Sequence, residues 1–541
     1  MLRITGGIVY DGTGSEPQCA DVQIVGDRIA GIRSVADPDG CPPAAVGVNP
    51  SGSPGEDPAQ TIDARGHWVL PGFIDVHSHA DLSVLDPELT RLRHAAGVTT
   101  ELVGQDGFGP VPCEERVWPD VASGLRAVAG EAPARPWTSV GVYLDECRRR
   151  AGSRVATLAS HGTIRRHVVG REERVATANE IQGMRDRAEQ LAGDGVPGLS
   201  SGLSYSPARA ASVEEVHAVY QPFAEIGRPY VTHLRDYGEA LDAALEEAAR
   251  IAEGGWLHLT HLHVSGAGRG GTAERYLAWI AQQRERGLRV TIDNYPYTAA
   301  CTFLASFLPS AALATPDPVA TVGADRAKYA GALDAQGPGP TVAVGWEGFR
   351  LVGARLDGAS VPDDTPLTEF ASATGRTPGE AVVDLVVESG GGLAVLIEQG
   401  HLDNVRALVA DPGHTVGSDG IMGSDVPHPR ATGTFLRFLD WAHRGLVPVG
   451  VADMVARMTG RAAEVVGCDD LGVLAEGRAA DVTILDPERL DPGPDRARYV
   501  PDAVRDLVIG GVVVRRDGEE TGRLPGAIAQ CHPARTEDRH G

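Results

Sequence analysis

The sequence predicts an α/β protein built on a parallel (β/α)8 barrel, and two observations lead to that prediction. Over roughly four hundred residues, short apolar strand candidates alternate with amphipathic helical segments, a pattern typical of a parallel sheet covered by helices. The chain has 541 residues, which is long enough for one such barrel with additional elements. The two ends of the chain follow a different pattern and predict a second, smaller unit.

That smaller unit is predicted from short β-rich runs at both ends of the chain. From Ile4 to Ile32, runs such as ITGGIVY and DVQIVGD are separated by glycines and acidic residues, as in small antiparallel strands. GVLAEGRAADVTILDPERL and VRDLVIGGVVVRRDG return to this pattern, so residues 1–63 and 475–541 are predicted to form one discontinuous β domain. Residues 36–60 are rich in Pro, Gly and Ala and predict a mobile insertion, and the tail from Glu519 onward is predicted to be poorly ordered.

The barrel is predicted over residues 64–474. Helical segments such as VEEVHAVYQPFAEI and ERYLAWIAQQRERG separate its strand candidates. Between Thr302 and Gly400 the alternation is interrupted by Ala-, Pro- and Gly-rich segments, which predicts an insertion near a barrel loop. The strand candidates in chain order are HWVLPGFIDVHSH, VTTELVG, VATLASHG, GLSSGLSY, PYVTHL, LHLTHLHVSG, RVTIDNYPY and HTVGSDG.

Charge and composition exclude several classes of function. There are 49 Lys and Arg against 73 Asp and Glu, and the net charge of −24 disfavours nucleic acid and anionic membranes as partners. The sequence has neither a signal-peptide pattern at its start nor a long apolar stretch, so it predicts a cytoplasmic protein. Lys328 is the only lysine, which leaves a single candidate for any mechanism that needs an active-site lysine.

A cluster of metal ligands is predicted at the mouth of the barrel. His77 and His79 follow an apolar strand, and their spacing of two places both on one face of it. His233, His261 and Asp419 each end a further strand candidate. Because the carboxyl ends of barrel strands meet at one mouth, we expect these imidazoles and the carboxylate to form a zinc-type site. Taken alone, each residue is better explained as a hydrogen-bonded core group, but five at strand ends favour a metal.

The motifs around these residues resemble, in order, those of the D-aminoacylase family of the amidohydrolase superfamily. The resemblance runs from the first strand to about Pro487 and implies a (β/α)8 barrel with a small β-sandwich built from both termini. It implies metal-dependent hydrolysis of N-acyl-D-amino acids to a carboxylate and a free D-amino acid, a small-molecule substrate, and a homo-oligomer as one option. The matching blocks are PGFIDVHSH, GVTTELVGQDGFGPVP, SHGTIRR, GLSSGLSYSPARAAS, YVTHLRDYG, DNYPYT and GSDGIMGSDVPHPRATGTFLR.

Carried over by motif, His77, His79 and Asp419 hold one metal position and His233 and His261 the other, with one or two zinc ions in total. Members of the family have a cysteine in a GNCG block, where this chain has GQDG.

Asp106 therefore stands in the place of that cysteine, and an aspartate oxygen is a harder zinc ligand than a thiolate. An Asx turn is an equally good explanation of Asp106 on sequence alone, and Glu101 is an alternative carboxylate. Lys328 lies in the inserted region and not at a strand end, which disfavours a carboxylated-lysine bridge.

The resemblance also assigns the chemistry and the substrate contacts. Asp419 is expected to act as general base and then as general acid, because an amide nitrogen leaves only when it is protonated. Arg430 is expected to bind the substrate α-carboxylate through two parallel hydrogen bonds. Tyr295 matches a substrate-contacting tyrosine, Tyr205 is expected to form a wall, and His263 replaces the lysine of an HHK block with a titratable group.

Three alternatives stay open at this stage. Within the superfamily, the chain could be a cyclic-amide hydrolase of the hydantoinase or dihydroorotase type. A D-dipeptidase is chemically close to the main prediction. A metal-free barrel scaffold is the non-enzyme alternative, and the complete set of predicted ligands argues against it.

Overall fold

The computed structural model describes residues 1–35, 61–129, 132–266, 268–339, 342–422, 428–496 and 499–529. The predicted mobile insertion at 36–60 lies outside these residues. The strands are β1 (Leu2–Val9), β2 (Gln18–Val25), β3 (Arg28–Ser34), β4 (Thr61–Asp63), β5 (Trp68–Pro71), β6 (Phe73–Asp75), β7 (Val98–Val103), β8 (Arg154–Thr157), β9 (Ala159–Ser160), β10 (Leu199–Gly202), β11 (Pro229–His233), β12 (Trp256–Leu259), β13 (Arg289–Asn294), β14 (Ala299–Phe303), β15 (Phe349–Leu351), β16 (Arg355–Leu356), β17 (Ala359–Ser360), β18 (Thr365–Pro366), β19 (Ala394–Glu398), β20 (His414–Val416), β21 (Val482–Leu485), β22 (Val504–Ile509), β23 (Val512–Arg516) and β24 (Glu519–Glu520).

Helices follow most of the barrel strands. The α-helices are α1 (Pro87–Ala95), α2 (Trp118–Ala129), α3 (Val140–Arg150), α4 (His161–Val168), α5 (Ala178–Gly193), α6 (Val213–Glu225), α7 (Leu241–Ile251), α8 (Ala273–Glu285), α9 (Ser310–Leu313), α10 (Pro318–Ala324), α11 (Arg326–Gln336), α12 (Leu367–Ala373), α13 (Pro378–Glu388), α14 (Leu402–Leu408), α15 (Arg430–His443), α16 (Val451–Met458) and α17 (Gly460–Val466). Short 3-10 turns lie at Ser83–Leu85, Gln105–Gly107, Ala208–Ala210, Leu304–Phe307, Trp346–Gly348 and Pro487–Arg489.

Parallel strands form a closed ring at the centre of the molecule. The ring has eight positions in the order β6, β7, β8/β9, β10, β11, β12, β13 and β20, where β8 and β9 share one position, and neighbouring strands pair in parallel. Between β8 and β9 the N–H of Leu158 still donates to Val103 O at 2.9 Å, so the two segments act as one strand. The ring closes where Ser78 pairs in parallel with Gly420. The predicted (β/α)8 barrel is confirmed.

Strands from both ends of the chain share one sheet beside the barrel. Its order is β24-β23-β22-β21-β5-β1-β2-β3, with β4 paired to β1. β5 joins the two ends, because it pairs parallel to β1 and antiparallel to β21. The tail is ordered further than predicted, since Glu519–Glu520 pairs with Arg515–Arg516. The domain boundaries at residues 63/64 and 474/475 stay a prediction.

The interruption between Thr302 and Gly400 is a folded insertion. It contains helices α9–α13 and an antiparallel sheet in the order β14-β19-β15-β18. This unit has its own apolar core, in which Phe349, Leu367 and Leu385 are fully buried. The insertion is therefore a folded unit with its own core, not an open loop, and several of its residues line the cavity at the barrel mouth.

Side chains at the N-termini of several helices cap their first backbone N–H groups. The segment 213–226 becomes α6, whose preceding Ser212 accepts a hydrogen bond from the N–H of Glu215 at 3.2 Å. In α13, Pro378 takes the first turn and Thr377 and Glu380 form a reciprocal capping box. Among the described residues, no helix has the length and apolar composition needed to cross a bilayer.

A buried arginine connects the strand ends that carry the predicted site. Arg93 of α1 donates to Asp75 at the end of β6 and to both oxygens of Glu101 in β7, at 2.8 and 3.0 Å for the latter. It also donates to the carbonyl of Ala431. Asp75 in turn accepts the N–H of His77 at 3.1 Å and the N–H of Ser418 at 2.9 Å. This network sets the distance between the first and last barrel strands.

Replacing Arg93 by Met is expected to lower the free energy of unfolding by about 3–5 kcal/mol, because two buried carboxylates lose their counter-ion. Urea unfolding followed by circular dichroism measures this change. The matched control is Arg91→Met on the same helix, where the ion pair with Glu88 is 52% and 76% exposed and a change of about 0.5 kcal/mol or less is expected. Equal effects of the two substitutions would contradict this role of Arg93.

Candidate metal centre and active site

All six predicted ligands lie at one mouth of the barrel. The ligand atoms of His77, His79, Asp106 and Asp419 lie within 4.8 Å of one another. The same holds for Asp106, His233 and His261. The strands explain this convergence. His77 and His79 follow β6, Asp106 follows β7, His233 ends β11, His261 follows β12 and Asp419 follows β20. The carboxyl ends of these strands meet at one mouth.

The carboxylate of Asp106 belongs to both groups. Its Oδ1 lies 3.6 Å from His77 Nε2, and its Oδ2 lies 3.6 Å from His79 Nε2. On the other side, Oδ2 lies 3.4 Å from His233 Nδ1 and 3.6 Å from His261 Nε2. The Asp106 carboxylate therefore lies between two pairs of imidazoles, His77 with His79 and His233 with His261.

The local backbone directs this carboxylate into the mouth. Asp106 has φ = 55°, in the left-handed region, and it stands in a 3-10 turn between Gly104 and Gly107, which also have positive φ. A Cβ at Gly202 would lie 2.2 Å from the carbonyl oxygen of Asp106, so only glycine fits there. His261 and Asp419 also have positive φ, at 32° and 49°. Strained backbone of this kind is concentrated at functional sites.

Neighbouring groups fix the rings of three of the histidines. The distal nitrogen of His233, Nε2, lies 2.8 Å from Ser204 Oγ. His261 Nδ1 lies 3.1 Å from the hydroxyl of Tyr237. Asp293 lies beneath both groups of ligands, with Oδ1 accepting the N–H of His261 at 2.8 Å and Oδ2 lying 3.8 Å from His77 Nδ1. Such partners orient metal-ligating imidazoles and set which nitrogen faces the ion.

The donor atoms fit a divalent cation. His77 Nε2 and Asp106 Oδ1 are buried, face each other, and have no hydrogen-bond partner among the described residues. Burial opposes the charged form of His79, yet the facing carboxylates of Asp106 and Asp419 raise its pKa to about 10. The centre therefore favours positive charge between its carboxylates. Imidazole and carboxylate together are a zinc ligand set.

Asp419 is paired with Arg430. Asp419 Oδ1 lies 3.2 Å from His79 Nε2, and its Oδ2 lies 2.9 Å from Arg430 Nη1. Burial opposes ionisation of Asp419, but the Arg430 guanidinium and the imidazoles hold its pKa well below the usual value. Arg430 is itself fully buried, with Nη2 donating to Cys301 O at 3.1 Å and the guanidinium 4.6 Å from the centre of the Tyr295 ring.

A cavity of about 900 Å³ opens from the centre. Of the predicted substrate-contacting residues, Tyr205, His263 and Tyr295 line it. Arg430 does not line it: the guanidinium is fully buried, packs on the Tyr295 ring and pairs with Asp419. Burial, followed by the charges of His261 and Arg430, lowers the pKa of His263 to about 3, so this side chain is neutral at neutral pH.

The two alternative ligands considered from the sequence lie elsewhere. Glu101 is fully buried but is held by Arg93, one layer below the mouth. Lys328 is in α11 of the insertion, with its Nζ 4.8 Å from the centre of the Tyr329 ring. Neither contributes to the cluster of ligand atoms described above.

The sequence analysis missed the residues that support the ligands. Asp293 is the penultimate residue of β13, an acidic residue near the carboxyl end of a barrel strand, so the reasoning that selected Asp419 would also have selected it. Ser204 and Tyr237 follow β10 and β11 in polar loops, and nothing in their local sequence distinguishes them from ordinary loop residues.

The chain is similar in sequence and in fold to known proteins. The family model described as the amidohydrolase family matches residues 60–339 and 341–515. The chain belongs to the amidohydrolase family. It is 30% identical over 492 residues to D-aminoacylase of Alcaligenes xylosoxydans xylosoxydans, covering 90% of this chain and 88% of that relative. It is 27% identical over 546 residues to the N-acyl-D-aspartate deacylase of the same organism, covering 97% and 94%.

Two solved structures are also similar to this amidohydrolase. One is the N-acyl-D-glutamate deacylase from Bordetella bronchiseptica with zinc and a phosphonate inhibitor, with a TM-score of 0.78, 26% identity and coverage of 98% and 99% of the two chains. The other is a D-aminoacylase with a binuclear metal centre, with a TM-score of 0.76, 25% identity and coverage of 98% and 99%. The family resemblance drawn from the sequence is confirmed.

Replacing Asp106 by Ala is expected to lower the zinc content by about one ion per chain or more, because the shared oxygen ligands are removed. Equilibrium dialysis followed by elemental analysis measures it. The control is Asp317→Ala, a cavity carboxylate that caps α10 and lies outside both groups of ligands. Retention of the full zinc content by Asp106→Ala would show that Asp106 is not a ligand.

Proposed function

We propose that this amidohydrolase cleaves the amide bond of N-acyl-D-amino acids, giving a carboxylate and a free D-amino acid. The observation that carries the proposal is the Asp106 carboxylate between two sets of imidazoles, beside the Asp419–Arg430 pair and open to a large cavity. The relatives named above, a D-aminoacylase and two N-acyl-D-amino-acid deacylases, support the same reaction class.

The metal-binding residues are assigned as follows. His77, His79 and Asp419 would hold one zinc ion, His233 and His261 would hold the second, and Asp106 would contact both. A bound zinc ion supplies a Lewis acid that lowers the pKa of water and polarises the amide carbonyl. Whether one or two ions are needed for activity is an outcome of the experiment below.

Asp419 is proposed to move the proton. Because Arg430 keeps the Asp419 carboxylate ionised, it can accept a proton from the attacking water at neutral pH. The new C–O bond forms, and the same proton then passes to the amide nitrogen as the C–N bond breaks. One carboxylate thus acts first as base and then as acid, with no net gain or loss of protons.

The remaining residues are proposed to hold the substrate. Arg430 would bind the α-carboxylate, and its Nε has no hydrogen-bond partner among the described residues. Tyr295 packs against that guanidinium and against the His263 ring, with centroids 4.5 Å apart for the two rings. Tyr205 forms the opposite wall, packed on His233 at 4.7 Å. The homo-oligomer, the cytoplasmic location and the absence of nucleic-acid and membrane partners stay predictions.

Hydrolysis of a substrate panel tests the proposal. Zinc-loaded protein, with its metal content measured, is assayed with N-acetyl-D-amino acids, their L enantiomers, D-dipeptides and hydantoins. We expect turnover of the linear D substrates and none of the L substrates. Turnover confined to hydantoins would assign a cyclic-amide hydrolase, and turnover confined to dipeptides would assign a D-dipeptidase. Folded protein that neither binds zinc nor turns over any substrate would make a scaffold the better assignment.

The role of Asp419 gives a separate prediction. Asp419→Asn is expected to lower kcat by about 10³-fold or more, because an amide cannot accept and deliver the proton. Zinc content and circular dichroism are measured in parallel, so that loss of metal or fold is separated from loss of the base. Asp194→Asn, at an exposed position after α5, is the control and is expected to keep full activity. An active, metal-loaded Asp419→Asn variant would refute the proposed role.

A further inference from the structure

One cation in the wall of the cavity has no carboxylate partner. The guanidinium of Arg166 in α4 lines the cavity and donates only to two backbone carbonyls, from Nη1 to Gly162 O at 3.3 Å and from Nη2 to Ser206 O at 3.2 Å. Among the described residues, no Asp or Glu oxygen forms an ion pair with it. Neutral carbonyls do not balance a guanidinium charge, so Arg166 has the capacity to bind an anion.

The charged neighbours of Arg166 are already paired. Asp120 is held by Arg171 at 2.7 Å, and Arg209 is held by Glu173 at 2.7 Å. Burial, followed by the positive charge of Arg171, lowers the pKa of Arg166 to about 10. An anion that enters from the cavity would relieve both effects, since it replaces lost solvation and opposes the neighbouring cation.

Arg166 lies just beyond the aromatic wall of the centre. The Tyr205 ring packs on His233 on one side and on the Phe108 ring, at 5.1 Å between centroids, on the other. A methyl group at Gly124 would touch both the Phe108 ring at 3.8 Å and Arg166 Nη2 at 3.9 Å. A continuous row of contacts, from His233 through the Tyr205 and Phe108 rings, therefore leads from the centre to the guanidinium.

The strand order places Arg166 opposite the α-carboxylate site. Arg166 follows β9 and Tyr205 follows β10, the third and fourth positions of the ring. Tyr295 follows β13 and Arg430 follows β20, the seventh and eighth positions. With the scissile carbonyl at the metal centre between them, the amino-acid half points to one side and the acyl half to the other.

We infer that Arg166 binds a carboxylate at the far end of the acyl group, so that the substrate is an N-(ω-carboxyacyl)-D-amino acid such as an N-succinyl or N-glutaryl derivative. The inference rests on the proposed deacylase function. The insertion supplies an apolar wall for the methylenes of such a group, with Phe307, Leu313 and Val319 lining the same cavity. Arg171, the cation near Arg166, donates a hydrogen bond from Nη1 to Thr315 O in the insertion at 3.4 Å. This bond connects the apolar wall to the side of the cavity on which Arg166 lies.

The test compares N-succinyl-D-leucine with N-succinamoyl-D-leucine, in which the terminal carboxylate is replaced by an amide of the same shape. The wild-type enzyme is expected to prefer the succinyl substrate by roughly 10- to 100-fold in kcat/KM, the range of a charge-assisted hydrogen-bonded pair. Arg166→Gln is expected to bring the ratio close to one, and Arg166→Lys to restore part of it. Arg185→Gln on α5, an exposed arginine, is the matched control and keeps the wild-type ratio.

A second pair of substrates identifies which half carries the anion. The ratio of N-acetyl-D-glutamate to N-acetyl-D-glutamine is measured with the same variants. If Arg166→Gln lowers this ratio and leaves the succinyl ratio unchanged, the anion comes from the amino-acid side chain and the inference is overturned. If the wild-type enzyme hydrolyses N-acetyl-D-leucine but its kcat/KM ratio for the succinyl over the succinamoyl substrate is near one, the inference is refuted and the proposed function stands. If zinc-loaded protein hydrolyses no D substrate, the proposed function is refuted.

Discussion

The centre depends on one carboxylate, that of Asp106, which has to reach two sets of imidazoles at once. Only a left-handed backbone at Asp106 turns its side chain from the end of β7 into the barrel axis, and this conformation costs on the order of 1 kcal/mol for a residue other than glycine. Gly202 has to be glycine because the turn lies against it. Once the carboxylate is there, burial penalises its charge, and the surrounding imidazoles reverse that penalty by lowering its pKa. The left-handed backbone of Asp106 and the burial of its charge are both unfavourable. They are offset only in the assembled barrel, where the imidazoles surround the carboxylate.

The positions of the remaining ligands follow from the ion network one layer below. Asp75 accepts hydrogen bonds from the backbone N–H of His77 and from that of Ser418, next to Asp419, so one carboxylate aligns the first and last barrel strands. Arg93 neutralises Asp75 and Glu101 together. A buried pair of this kind adds little stability over an apolar core, but its geometry is specific. The network thus fixes the positions of the ligand side chains. Apolar contacts are less directional, so a hydrophobic core would fix these positions less precisely.

Much of this arrangement could be predicted from the sequence. The alternation of strands and helices indicated the barrel, and residues such as His233 and Asp419 were found because they end apolar strands. Asp106 could not be assigned in this way, since QDG fits an Asx turn as well as a ligand. The imidazoles that face its carboxylate on two sides are a property of the folded barrel, and they support the ligand assignment proposed above. Glu101 pairs with Arg93 because α1 packs close to β7. No local sequence pattern predicts the distance between that helix and that strand. The same holds for Arg166, which has no carboxylate partner among the described residues because of how the folded cavity places it.

The distribution of charge around the cavity argues for a substrate with two anionic ends. On the side of the centre that carries Tyr295, the Arg430 guanidinium is already paired with Asp419. On the opposite side, Arg166 is unpaired among the described residues. A substrate with a single carboxylate would be attracted to either end, and binding at Arg166 would leave its amide away from the metal centre. With the assignments proposed above, a second carboxylate on the acyl group would occupy the Arg166 side and leave the α-carboxylate to Arg430, which would favour binding in the productive orientation.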